Sequence, residues 1–157
     1  MSREVLIESI KEKFKDSITG FADRSPKRVF FEIDPRCIKE LTKYLFYDVK
    51  ARFNIATGVD TRFHIEVLYH FTVEKLRLIL SFRTKLDREK PSIDSITPLI
   101  KGAEWIEREM HELIGIDFIG HPNLKPLLLP EDWPKGVYPL RRDYKEWDEN
   151  AIRDRGV

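Results

Sequence analysis

His111 and Glu112 stand side by side in an apolar-periodic stretch, and His121 follows ten residues after His111. Two imidazoles and a carboxylate are the parts of a zinc hydrolase, in which the histidines hold the metal and the acid takes a proton from its bound water. The spacing argues against it. The first two ligating histidines of such a helix are four apart so that they share a face, and four residues after His111 comes Gly115. A small metal-dependent hydrolase using His111, Glu112 and His121 is therefore the weaker alternative to a charged helix beside a loop histidine. His64 and His70, six apart on the polar side of an alternating segment, read as solvent-facing strand residues. As metal ligands they would need further donors from another chain.

Other chemistries lack their motifs. There is no Gly-x-Ser-x-Gly elbow, no phosphate-cradling glycine loop and no Gly-x-Gly-x-x-Gly turn, and seven glycines leave little material for one. Carboxylates abound, but no pair is singled out by an apolar setting that would raise a pKa. The single cysteine, Cys37, excludes an internal disulfide, a four-thiolate zinc site and a cysteine-ligated iron-sulfur cluster held by this chain alone. It reads as a small apolar core residue. Lys and Arg number 28 against 27 Asp and Glu, so there is no bulk electrostatic case for nucleic acid or an anionic membrane. Arg141, Arg142 and Asp143, flanked by Tyr138, Tyr144 and Trp147, combine cations with rings as nucleic-acid patches do, but their balanced charge fits a protein contact better. Charged residues make up 35% of the chain, Gln is absent and Asn occurs only at 54, 123 and 150, a bias that suggests a hot-living source.

These residues have to be positioned by one domain, which 157 residues suit. Leu6, Ile7, Ile10 and Phe14 predict a helix over about 2–15, ending near Gly20. Val29, Phe31 and Ile33 alternate, and Asp34-Pro35 then caps and opens a helix whose buried face is Ile38, Leu41 and Leu45. Ala51, Phe53 and Ile55 predict a strand running into a turn at Thr57-Gly58-Val59-Asp60. Phe63, Ile65, Val67, Tyr69 and Phe71 give the clearest strand, and Leu76, Leu78, Leu80 and Phe82 another. The middle of the chain thus reads as an antiparallel meander, and the fold as α+β, an antiparallel or mixed sheet flanked by helices. Residues 87–98, with Pro91 and Pro98, read as a charged loop before a helix at about 99–114. In that helix Ile106, Met110, Leu113 and Ile114 share one face and Glu104, Arg108, His111 and Glu112 another. Glu104 to Arg108 and Arg108 to Glu112 are spaced for surface ion pairs.

Beyond Gly120 the pattern changes. Pro122, Pro126, Pro130, Pro134 and Pro139 forbid a continuing helix, yet Leu124, Leu127, Leu128, Leu129, Trp133, Tyr138 and Leu140 make the segment too apolar for a linker. The sequence therefore predicts an α+β domain over 1–120 and an extended, proline-rich arm over 121–157, lying on a surface expected to belong to another protein. The alternative is a stand-alone protein-binding module whose arm folds back on its own sheet. No stretch approaches the roughly 18 apolar residues of a membrane span, and Met1-Ser2-Arg3-Glu4 leads into an amphipathic pattern and not a signal peptide. The expectation is a peripheral chain on the cytoplasmic face, touching a membrane only through partners.

From Glu107 to Leu128 the chain runs Glu-Arg-Glu, two residues, an acid, two apolar residues, six residues, His, three residues, Lys, one residue and two apolar residues. This string resembles the signature of the 30 kDa subunit family of respiratory complex I, the NADH-quinone oxidoreductase. Leu129-Pro130-Glu131-Asp132-Trp133-Pro134 and Tyr138-Pro139-Leu140-Arg141-Arg142-Asp143-Tyr144 resemble the same family's tail. The resemblance implies a non-catalytic subunit of a hydrophilic arm that binds no cofactor itself. Its implied partners are a large catalytic subunit, of the 49 kDa or nickel-iron hydrogenase type, and an iron-sulfur small subunit. Iron-sulfur clusters, and in the hydrogenase relatives a nickel-iron centre, would belong to those partners. Carried over, Glu107, Arg108, Glu109, Glu112, His121, Lys125, Leu128, Trp133, Arg141, Arg142, Asp143 and Tyr144 become docking and structural residues. The family's machines include complex I, membrane-bound energy-converting hydrogenases, sulfur-reducing relatives and deazaflavin-linked dehydrogenases. The short length and the composition shift the expectation toward an archaeal ion-translocating hydrogenase or its sulfur-reducing relative.

Overall fold

Period-two alternation builds the sheet. In the computed structural model, which describes residues 2–145, β4 (Ile65–Val73) buries Ile65, Val67, Tyr69, Phe71 and Val73 on one face. Trp147 and the end of the arm, 146–157, lie outside the described residues. β5 (Leu78–Leu86) pairs antiparallel with β4 along its whole length, and β3 (Arg52–Asp60) flanks β4 antiparallel on the other side. β2 (Arg28–Ile33) lies parallel to β5, and β1 (Ile18–Ser25) is antiparallel to β2. The order is β1-β2-β5-β4-β3. The predicted meander is therefore present, inside a sheet that is mixed as a whole because the chain from β2 reaches β5 only after a helix and two strands.

Helices cover one face. α1 (Arg3–Lys13) starts where the Ser2 hydroxyl accepts the Val5 N–H, and it buries Leu6, Ile7 and Ile10. The side chain and then the backbone N–H of Arg36 donate to Asp34, holding its carboxyl down to about 2. Pro35 opens a 3-10 turn there that leads into α2 (Ile38–Lys43). A π turn, Tyr44–Asp48, continues α2 and keeps Leu45 buried with Ile38 and Leu41. Beneath them Phe31 stacks on Phe82 at 5.2 Å between ring centroids. Cys37 is buried, which pushes its thiol pKa up. The other face carries a cross-strand charge ladder in which Arg83 bridges Glu66 and Glu32 and Lys85 meets Glu32 at 2.6 Å, with the His64 ring 2.9 Å from Glu66. His70 bonds Ser81 there and sits in the strand as alternation put it, whereas His64 lies one residue before β4.

Several local expectations change. β1 is missing from the sequence reading because Gly20 and Ala22 interrupt any apolar alternation in a half-exposed edge strand. A bulge between Phe53 and Ile55 shifts the phase of β3, so Ala56 is buried and Ile55 is exposed. Thr57-Gly58-Val59-Asp60 is strand; the turn comes later, closed by Thr61 N–H to His64 O at 2.9 Å, with Phe63 exposed at its tip. Leu76 lies in a 3-10 turn before β5. Residues 87–98 contain β6 (Ser92–Asp94), too short to alternate, which pairs in parallel with β7 (Asp117–Ile119).

The Tyr69 hydroxyl is buried on the core face and has no hydrogen-bond partner among the described residues. Tyr69→Phe removes that unsatisfied group and is expected to stabilise the domain by about 1 kcal/mol, where most core substitutions destabilise. Urea denaturation checks it; a clear loss of stability would mean the hydroxyl has a partner.

Candidate functional site

The helix predicted over 99–114 occupies Glu104–Ile114 (α3), entered through a 3-10 turn, Lys101–Ala103, and closed by Gly115 with φ of 84°. Two of its acids, Glu107 and Glu112, are buried. Glu107 has no exposed surface, and its carboxylate accepts from the Ser95 hydroxyl at 2.5 Å, the Ile96 N–H at 2.8 Å and the Thr97 hydroxyl at 2.7 Å. A carboxylate taken this far from water is tolerated only with such donors. Glu107 thereby staples the loop after β6 to α3. The His121 ring is also fully enclosed, with Nε2 3.8 Å from Glu107 and 3.2 Å from the Glu104 carbonyl. Its Nδ1 accepts the Asn123 N–H, so the ring proton sits on Nε2.

Arg108, next to Glu107 on α3, and Glu112, one turn beyond Arg108, grip the arm by its backbone. Arg108 donates to the carbonyls of Lys125 at 2.8 Å and Pro126 at 2.7 Å. Glu112 accepts the N–H groups of Leu127, Leu128 and Leu129 at 2.9, 2.5 and 3.4 Å. Every residue from 125 to 129 is thus held through a peptide group, which leaves the side chains uncommitted, and Leu128 is 61% exposed. Charge-assisted bonds of this kind are the stronger class.

The arm has a second seat at the end of α3. Leu140 N–H donates to Leu113 O at 2.9 Å, and the Arg141 guanidinium donates to the carbonyls of Ile114 and Arg88. Arg142 N–H donates to Asp60, which Arg88 also holds with two bonds of 3.0 Å, while Arg88 approaches Asp143 at 3.4 Å. Burial pushes the Asp60 carboxyl up, but the Arg142 N–H and the charged bonds from Arg88 outweigh it and hold the group below its ordinary value. The Tyr138 ring lies directly on Gly115, where a Cβ would come within 2.6 Å of ring carbons. Gly115 is therefore needed both for its left-handed φ and for its missing side chain. Trp133 donates to Val137 O at 2.8 Å and stacks on Tyr144.

Residues 31–150 match the family model described as respiratory-chain NADH dehydrogenase, 30 Kd subunit. The chain belongs to this family. It is 34% identical to a subunit of the F(420)H(2) dehydrogenase of Methanosarcina mazei, over 98% of this chain and 99% of that one. It is 28% identical to formate hydrogenlyase subunit 5 of Escherichia coli over 94% of this chain, and spans only 27% of that longer protein. A chain in the structure of the membrane-bound sulfane sulfur reductase, an archaeal respiratory membrane complex, shares the fold, with a TM-score of 0.76 at 23% identity over 90% of this chain and 85% of that one.

Within this family member the signature residues fall into two groups. Glu107, Arg108, Glu112 and His121 converge on the junction of α3 with the arm, and Arg141, Arg142 and Asp143 on its second seat. Trp133 and Tyr144 brace the arm against itself, Lys125 meets Arg108 through its carbonyl, and Glu109 makes no ion pair among the described residues. The expected surface pairs Glu104–Arg108 and Arg108–Glu112 do not form, because backbone groups of the arm take both Arg108 and Glu112. The arm was expected on another protein; its described part is seated on this chain's own helix. The hydrolase alternative loses its geometry. His111 Nδ1 bonds Ile116 O, both His121 nitrogens are engaged, Glu112 is committed to the arm, and no three metal-ligating side chains gather among the described residues. Sequence reasoning passed over Asp60, Arg88, Ser95 and Thr97, which carry no motif and meet their partners only in the fold.

Glu112→Gln removes the charge that holds three consecutive N–H groups. It is expected to weaken the arm's seat by about 1–3 kcal/mol, read as faster amide exchange at 127–129 with little change in the sheet's unfolding midpoint. Asp60 is held below its unfolded value of about 3.9, so its contribution to stability is complete above that pH and fades as pH falls through the lower folded value. Thermal melts from about pH 5 to about pH 2 should show a decline that Asp60→Asn flattens; parallel profiles would rule out this role.

Proposed function

We propose that this chain is a non-catalytic structural subunit in the hydrophilic arm of a membrane-bound, ion-translocating oxidoreductase, seated against the large catalytic subunit with an iron-sulfur small subunit nearby. The observation that carries this reading is the family match over 31–150, joined by end-to-end similarity to a relative named as one subunit of a dehydrogenase. The site supports it in kind. Its buried charges are spent on hydroxyls and peptide groups that fix a segment in place. The arm turns its peptide groups to α3 and leaves Leu128 and Leu140 in the open, as a segment with a second surface to meet would do. In this reading the iron-sulfur clusters, and a nickel-iron centre where the machine is a hydrogenase, sit in partner subunits, and those partners set the electron donor, the acceptor and the ion moved. No helix among the described residues is long and apolar enough to cross a membrane, and the chain reaches the membrane's cytoplasmic face through the complex.

Affinity purification of the chain from native membranes in mild detergent, followed by mass spectrometry, is expected to bring a large catalytic subunit and an iron-sulfur small subunit with it. Recovery of the chain alone would overturn the reading. The buried core ends at Phe118, so a chain cut after Gly120 is expected to keep its sheet by circular dichroism and to be missing from the complex on native gels.

A further inference from the structure

β3 is an outer strand of the sheet, and among the described residues its backbone bonds only to β4. The N–H and C=O groups on its other side therefore have no backbone partner among the described residues. α3 runs beside this edge, brought close by Gly58, whose place for a Cβ is filled by Ile114 and Met110. Between strand and helix lies a groove of about 210 Å³, walled by Ile55, Gly58, Ile106, Met110, Leu113 and Leu140. Ile55 is 47% exposed and Leu140 58%.

The two edges of the sheet are treated differently. β1 is guarded as exposed edges usually are, with two bulges, the charges of Asp23 and Arg24, and the Lys11 ammonium over the Phe21 ring. β3 from Phe53 to Val59 carries no charge and no proline, and its single bulge lies at its start. An unguarded edge next to the apolar face of a helix is the geometry that accepts an added strand, with backbone bonds for affinity and alternate side chains for selection.

We propose that this groove receives an extended strand of a partner subunit, which adds to the sheet beside β3 and places apolar side chains alternately against α3. Glu109 is the one charged residue in the lining, and no cation pairs with it among the described residues. The incoming strand therefore carries a lysine or arginine opposite Glu109. A second copy of β3 does not meet that requirement, since Phe53–Val59 offers no cation and Arg52 is paired with Glu74 at 2.9 Å. The inference rests on the subunit reading above for the existence of a partner, and on the strand and groove for where that partner binds.

Hydrogen–deuterium exchange of residues 52–60, measured on the isolated chain and on the purified native complex, tests it. Alternate amides should exchange fast in the isolated chain and slow by on the order of 100-fold in the complex. Fast exchange in a complex that contains the chain overturns this inference alone, while failure to find any complex overturns the subunit reading and this one with it. Protection in the dilute isolated chain would mean its own residues fill the edge, and protection that arises on concentrating it would mean a second copy does; either overturns the proposal. Ile55→Lys, at an exposed position, is expected to leave the isolated chain's melting unchanged and to lower its recovery in the complex at least tenfold, and undiminished recovery would count against the added strand.

Discussion

A carboxylate removed from water must be surrounded by donors, and α3 carries two, Glu107 and Glu112, on turns that nothing in the helix itself can satisfy. Their donors come from elsewhere: hydroxyls and an N–H of residues 95–97 for Glu107, and consecutive N–H groups of residues 127–129 for Glu112. The need for those donors fixes where the loop before α3 and the arm after it can lie. Gly115 and Gly58 then set the distances, one by admitting the Tyr138 ring and the other by admitting Ile114 and Met110. The two acids thus tie loop and arm to the one helix.

The elements that could be read from the sequence were those with a clean period. β4 and β5 alternate over nine residues each, and α1 repeats its apolar residues in helical register, so both types declare themselves. β1, β6 and β7 do not, since an edge strand with small residues and strands of three residues have no alternation to find. The parallel pairing of β2 with β5 left no local trace either, because it depends on segments far apart in the chain.

The site was legible in its membership and not in its roles. The signature string picked out Glu107, Arg108, Glu112 and His121, but charges spaced four apart on a helix look like surface ion pairs. What Arg108 and Glu112 meet is decided by peptide groups fifteen or more residues later, and a backbone group has no letter in the sequence. Asp60 and Arg88 went unnoticed for a related reason. One stood in an apparent turn and the other in an apparent charged loop, and their bidentate pair exists only once the meander brings β3 beside the segment that follows β5.

The position of β5 governs how this molecule can come into being. The hairpin of β1 with β2 and the meander of β3, β4 and β5 each close between neighbours in the chain, whereas Arg28 meets Ile79 and Glu32 meets Arg83 only across the whole intervening stretch. On a ribosome the hairpin emerges first and waits with the apolar side of Val29, Phe31 and Ile33 incomplete, shielded by α1 and α2 alone, until β5 has been made. Non-local closure of this kind carries the largest chain-entropy cost and is reached late. The junction of β2 with β5 is thus the pairing that joins the hairpin to the meander, and a chain stopped before Leu78 lacks the strand that makes it.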